Sequence, residues 1–179
     1  MQKNKKNVLL GSLKVMCAVA LLATISIICG KFLSFPQDGT FRFSVENLPI
    51  LLAGVVFGPV AGAVTGLLAD RLGCFLRGWA PLPLVTVGAV AVGLTSGLLY
   101  RFLRPKSLAL RTGIAVFGAH ALGSVLIKTV GLAHAYGSPF LPTLGWRGLN
   151  YLVIGALEFL LLYLLLRNKA VSNQLNRFH

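Results

Sequence analysis

The chain has 179 residues, 56% of them hydrophobic and only 12% charged, with a formal net charge of +13 and a mean hydropathy of +0.80. A soluble globular domain carries about twice that charged fraction, so there is no room beside the apolar stretches for a soluble catalytic domain. The basic residues cluster outside those stretches, which reads as membrane topology and not as a nucleic-acid surface.

Residues 1 to about 8 are polar and basic (Lys3, Lys5, Lys6), and an apolar run from Leu10 to Leu33 follows. No small-x-small cleavage site closes that run, so it is read as a first membrane helix and not as a signal peptide. Ala20, Ala23 and Thr24 give it a face of small residues. Ser34 to Glu46 is a polar connection in which Pro36 and Asp38-Gly39 form turns. The alternation from Phe41 to Val45 predicts a short extended piece or lid.

The next stretch, NLPILLAGVVFGPVAGAVTGLLADRLGCFL (Asn47 to Leu76), carries glycine at every fourth position: Gly54, Gly58, Gly62 and Gly66. This spacing leaves one helical face nearly bare, so another backbone can approach closely. Gly58-Pro59 breaks it, because proline lacks the amide hydrogen and clashes with the carbonyl four residues back. Two short glycine-rich helices are predicted, Leu48 to Phe57 and Pro59 to about Leu76. A fourth helix spans Leu84 to Leu103, a fifth about Thr112 to Leu132, and a sixth Trp146 to Leu166. RGWAPLP (Arg77 to Pro83) and AHAYGSPFLPTLG (Ala133 to Gly145) are the loops at one end. The predicted fold is an all-α integral membrane protein of six transmembrane helices, one domain over residues 1–179, with a polar tail from about 168.

Basic residues accumulate on the cytoplasmic side of a membrane. Six spans with the N-terminus inside place 11 Lys and Arg there (Lys3, Lys5, Lys6, Lys14, Arg101, Arg104, Lys106, Arg111, Arg167, Lys169, Arg177) against 6 outside. Fusing the two glycine-rich helices into one span gives 8 against 9. The asymmetry favours six spans, with both termini cytoplasmic, in the cell membrane.

Polar groups placed where polarity is expensive point to function. Arg42, Arg77, Trp79, Lys128, Tyr136, Trp146, Arg147 and Asn150 all fall toward the predicted external side, joined by Asp70, Arg71, His134 and Tyr151. Together they would line an outward cavity for a planar ring bearing an anion, since aromatics stack on the ring and Arg or Lys meets carboxylate or phosphate. Each has a plainer reading. The tryptophans suit an interfacial belt, Arg71 and Arg77 can pair with Asp70 or lipid headgroups, and Lys128 can snorkel. His120 fits a hydrogen-bonded core histidine. Glu158 lies mid-helix, where an unpaired carboxylate is costly; a protonated acid, a pair with a group such as His120, and a polar cavity or partner subunit all fit. No nucleophile–base set, Walker A sequence, HExxH or ligand-spaced Cys/His set occurs, so no enzyme activity, cofactor or metal is expected. Cys17 and Cys29 lie twelve residues apart, about 18 Å along a helix, too far for a disulfide.

Residues 41 to 73, FRFSVENLPILLAGVVFGPVAGAVTGLLADRLG, resemble the substrate-binding S components of energy-coupling factor (ECF) vitamin transporters, folate-type. The likeness rests on Arg42, Leu48-Pro49-Ile50, Gly54, Phe57-Gly58-Pro59, Gly62, Gly66 and Asp70. Trp146-Arg147 and the ending EFLLLYLLL are also similar. The resemblance implies six helices and vitamin binding from outside. The implied partners are a membrane-embedded coupling (T) subunit and two cytoplasmic ATPase subunits, which carry out ATP hydrolysis. By the same resemblance Arg42 and Arg147 contact the ligand, folate. Ala20, Ala23 and Thr24 with Gly54, Gly58, Gly62 and Gly66 would then face the coupling subunit. Two departures stand out: the first helix offers Ala20/Thr24 or Val19/Ala23 in place of alanine-x-x-x-alanine, and Gly155 stands where folate-type members tend to carry proline.

Overall fold

A computed structural model describes residues 13–35 and 43–168. Arg42 and the tails at about 1–8 and 169–179 lie outside the described residues. Six helices follow in order: α1 Leu13–Phe32, α2 Leu48–Phe57, α3 Pro59–Arg77, α4 Pro83–Phe102, α5 Leu108–Tyr136 and α6 Phe140–Arg167. All but α2 are long and apolar enough to cross a membrane, and the chain is a multi-pass membrane protein. Between α1 and α2 two short strands, β1 Ser34–Phe35 and β2 Phe43–Ser44, pair antiparallel with Ser34 opposite Ser44. The extended piece expected after Phe41 is thus half of a hairpin.

The break between α2 and α3 falls at Gly58-Pro59 as predicted. Gly58 takes φ 106°, a conformation that side chains resist, and Pro59 opens α3 at a first-turn position that needs no amide hydrogen. Of the two helices expected to be short, α2 has 10 residues and α3 has 19.

The second expected loop, Ala133 to Gly145, is corrected by the structure. Helix α5 continues to Tyr136 and α6 begins at Phe140, leaving three residues between them. Gly137 in a left-handed conformation ends α5, and Pro142 is accepted because it lies in the first turn of α6. Arg147 and Asn150 consequently sit well inside α6. Helix α5 also starts earlier than predicted, at Leu108, where the Ser107 hydroxyl accepts the Leu110 amide as an N-cap.

The repeating glycines have a use inside the chain. A Cβ built on Gly54 would lie 2.5 Å from the Gly93 carbonyl of α4, one on Gly62 also 2.5 Å from it, and one on Gly66 within reach of the Ala89 carbonyl. From the other side, a Cβ on Gly93 would meet the Gly62 carbonyl and one on Gly97 the backbone of Pro59. Gly54, Gly62 and Gly66 are buried in this seam, and Gly58 is covered by the Arg101 guanidinium. The bare face expected to meet a coupling subunit therefore meets α4. On α1, Ala23 is buried while Ala20 and Thr24 are exposed, the Thr24 hydroxyl donating to the Ala20 carbonyl.

An apolar cluster closes the middle of the bundle: Ala23 from α1, Ile50, Leu51 and Val55 from α2, Val92 from α4, Val116 and Ala119 from α5, and Leu162 from α6. One helical turn from its members stand Ser26, Asn47, His120 and Glu158, all buried and all on the side of the β hairpin. The core is thus an apolar floor with polar groups above it.

Candidate functional site

The middle of α5 is a π-helix, His120–Ile127, in which the Lys128 amide donates to the Gly123 carbonyl five residues back. Such wide turns occur mostly as single bulges and often at functional sites; here the wide segment is eight residues long. It brings His120, Ser124 and Lys128 to the interior, at 2%, 0% and 6% exposure.

These residues make a closed polar network with α6. His120 Nε2 and Glu158 Oε2 are 2.5 Å apart, and His120 Nδ1 is 3.2 Å from the Ser124 hydroxyl. Two arrangements use each atom once: Ser124 O–H donating to Nδ1 with Nε2–H donating to an ionised Glu158, and Nδ1–H donating to the Ser124 oxygen with a protonated Glu158 donating to Nε2. The Ser124 carbonyl accepts from Arg147 Nη2 at 2.9 Å. Tyr151 fills the space between, stacked on His120 at 5.2 Å with the Arg147 guanidinium 5.3 Å from its ring centre. Gly155 makes this approach possible: a Cβ there would lie 3.1 Å from Phe117 and 3.5 Å from the His120 ring.

The network is not saturated. Glu158 Oε1, Arg147 Nε, the Thr129 hydroxyl and both side-chain polar atoms of Asn47 are buried with no hydrogen-bond partner among the described residues. Asn47 stands at the N-cap position of α2 without capping it. Buried polar groups are nearly always paired, so these atoms stand out within an apolar bundle.

The predicted residues divide into three groups. Lys128, Arg147 and Asn150 are all buried, Lys128 with its stem against Gly88 of α4 and Arg147 bonded to the Ser124 carbonyl. Arg77 and Trp79 form a second group near the hairpin, with the Arg77 guanidinium 5.0 Å from the Trp79 ring centre and 3.9 Å from the Glu46 carboxylate. Tyr136 and Trp146 are exposed, at 71% and 53%. Asp70, expected as a partner for Arg71 or Arg77, accepts instead from the Thr86 hydroxyl of α4 at 2.6 Å. Of the open readings of Glu158, a pair with His120 is the one observed. Sequence reasoning missed Ser124 as a member of the network. Ser124 follows His120 by four residues, a spacing that puts both on one helical face. The π-helix has no such signal in the sequence.

Among the described residues no group of three or more His, Cys, Asp or Glu could hold a metal. The site offers what a neutral bundle interior would lack: a cation, a carboxylate, an amide and hydroxyls, held by packed helices beside an aromatic ring. That makes it the candidate site of the bundle for a small polar molecule.

The family description "ECF transporter, substrate-specific component" matches residues 14–168, and the chain belongs to that family. Its role is therefore transport of a small vitamin-like ligand, in a family whose members work with a T component and ATPase subunits. A crystal structure of FolT bound with folic acid has the same fold, with a TM-score of 0.69 at 18% identity over 86% of this chain and 92% of that one. The S component of a bacterial ECF transporter is similar with a TM-score of 0.68 at 23% identity, over 90% of this chain and 97% of that one. No curated protein sequence matches the chain.

Proposed function

We propose that this chain is a folate-binding S component with six membrane-spanning helices and both termini cytoplasmic. It would take its ligand from the outside into the end of the bundle where the hairpin lies. The buried Arg147 carries this reading. It sits 7% exposed inside an apolar bundle, an expensive position for a permanent cation, with only part of its guanidinium satisfied by the Ser124 carbonyl. An anionic ligand would complete it. Folate supplies carboxylates for Arg147 and for Arg42, and an aromatic system for Tyr151. The likeness in fold to FolT supports the same choice.

The remaining predicted contacts fit around it: Lys128 and Asn150 beside Arg147, and Arg77 with Trp79 at the entrance under the hairpin, with Tyr136 and Trp146 at the rim. The coupling subunit would dock across the exposed side of α1, at Ala20 and Thr24. The glycines of α2 and α3 would serve that docking by holding the two helices against α4. No covalent chemistry is assigned to the chain itself; energy would come from the ATPase subunits.

The test is native mass spectrometry of the gently purified protein, followed by titration with folic acid and thiamine in detergent. Folic acid bound in stoichiometric amount is the expected result. Thiamine or a queuosine precursor in its place would keep the family and overturn the cargo.

A further inference from the structure

The end of the bundle away from the hairpin gathers cations without counter-charges. Val15 of α1, Phe57 of α2, Ala61 of α3 and the half-buried Leu166 of α6 pack together there, so Lys14 and Arg167 share this end with the Arg101 guanidinium, which covers Gly58. The turn from α4 to α5 adds Arg104 and Lys106, and the first turn of α5 adds Arg111. The whole chain has four acidic residues. Asp38 falls in the sequence between β1 and β2, and Glu46 faces Arg77 under the hairpin. Asp70 accepts from Thr86 in the first turn of α4, and Glu158 is bonded to His120 in the interior. Among the described residues, then, no acidic side chain lies at this end.

Within this end the α4–α5 turn has the shape of a headgroup site. The Arg111 guanidinium is held 4.4 Å from the centre of the Tyr100 ring, and its Nε is buried with no hydrogen-bond partner among the described residues. Arg104 and Lys106 are exposed beside it. First-turn amides of a helix have no partners within it and carry partial positive charge; at α5 the Ser107 hydroxyl serves that of Leu110. Phe102 and Leu110 flank these cations at 78% and 48% exposure. Apolar side chains set among cations at the ends of membrane helices match the boundary between acyl chains and phosphates, whereas a soluble anion would leave both in water. We propose that the α4–α5 turn binds the phosphate headgroup of an anionic lipid through Arg104, Lys106 and Arg111, with Phe102 and Leu110 against its acyl chains. Arginine meets a phosphate with two parallel hydrogen bonds, and a zwitterionic headgroup brings a cation of its own that this crowded end repels. Arg101 has a separate use, because over Gly58 it stands at the C-terminus of α2, where the helix dipole favours a cation. The site depends neither on which vitamin is carried nor on which side of the membrane this end faces.

The experiment is native mass spectrometry of the purified chain in detergent with equal amounts of phosphatidylglycerol and phosphatidylcholine carrying the same acyl chains. The wild type should retain phosphatidylglycerol in preference by about five-fold or more, and Arg104→Gln/Lys106→Gln should bring that preference to within about two-fold. Both positions are exposed, so this variant is expected to unfold at the wild-type temperature. Arg111→Lys, which keeps the charge and loses the planar fork on Tyr100, should lower the preference partway. Lys14→Gln/Lys31→Gln removes two other exposed cations and should keep the wild-type preference. A wild type without preference would overturn the proposal and leave the patch to an acidic protein surface. An equal loss in the Lys14/Lys31 variant would also overturn it, by reducing the effect to net charge. So would displacement of phosphatidylglycerol by millimolar inorganic phosphate or ATP, since the site would then belong to a soluble anion.

Discussion

Two seams hold this bundle together, and they are built from opposite materials. Between α2, α3 and α4 the backbones meet directly, glycine against glycine, so that a Cβ on Gly93 would collide with the Gly62 carbonyl. Between α5 and α6 the helices stand apart, joined by side chains: His120 to Glu158, Arg147 to Ser124, Tyr151 between them. The first seam leaves no room for a Cβ at Gly54, Gly62, Gly66 or Gly93. The second holds Glu158 Oε1 and Arg147 Nε, both buried with no hydrogen-bond partner among the described residues. Rigidity and recognition are therefore separated. Helices that need only be held are packed by the absence of side chains, and helices that must recognise something are spaced by their presence.

The sharpest way to break the contrast is at Gly93. A leucine there has no path past the carbonyl of Gly62, which is backbone and cannot rotate away. Overpacking commonly costs about 1–3 kcal/mol, and a rigid backbone on both sides places this substitution above that range. Gly93→Leu is expected to yield little folded protein by size-exclusion chromatography in detergent, and Gly62→Leu to behave alike. Monodisperse, thermally stable protein from both would mean that the seam can open.

The polar seam should fail differently. Glu158→Ala leaves His120 buried without its partner, a loss of about 3–5 kcal/mol if the pair is ionised. The double variant His120→Phe, Glu158→Leu replaces both partners by apolar groups, and such exchanges are often neutral or stabilising. Thermal unfolding should show the single variant well below wild type and the double variant restored to within about 1 kcal/mol. No such rescue is available at Gly93. A double variant as unstable as the single one would remove the distinction between the two seams.

Arg147 gives a smaller effect on folding and a larger one on binding. Arg147→Ala removes the donor to the Ser124 carbonyl and, by the proposed reading, the ligand's counter-charge. Affinity for folic acid by isothermal titration is expected to fall by about ten-fold to a hundred-fold. Unchanged affinity would move the anion contact elsewhere, with Arg42 the next residue to test.

The two seams were not equally legible in the sequence. Glycine at Gly54, Gly58, Gly62 and Gly66 announces close packing by spacing alone, and Gly58-Pro59 announces the break. What spacing could not tell is against whom the face packs, because Gly93 and Gly97 satisfy the same rule from another helix of the same chain. On the polar side the residue types were visible and the pairing was not. His120 and Glu158 are separated by 38 residues, and nothing local marks them as neighbours. The π-helix widens α5 by a backbone preference that residue type does not encode, so the inward aim of Lys128 could equally be read as snorkelling. Arg77 and Trp79 lie together, but their neighbour Glu46 comes from the turn before α2, a contact set by the hairpin and not by any motif.

Gly155 lies where the two kinds of packing meet, and it offers the finest test. Like the glycines of the first seam it lets a neighbour approach, but that neighbour is the edge of the Phe117 ring, 3.1 Å from a Cβ placed there, with the His120 ring at 3.5 Å. A ring on a half-exposed side chain can turn aside, whereas a carbonyl within a helix cannot. Alanine also gains about 1 kcal/mol of helix preference over glycine in a helix interior. The two effects nearly offset, and Gly155→Ala is expected to unfold within about 1 kcal/mol of wild type. Its ligand affinity is the more sensitive quantity, since a small displacement of Phe117 carries to His120 and so to the carboxylate of Glu158. A modest loss of affinity at unchanged stability would place Gly155 with the recognising seam. Collapse of the fold would place it with Gly93, and would mean that the polar seam is packed as tightly as the glycine one.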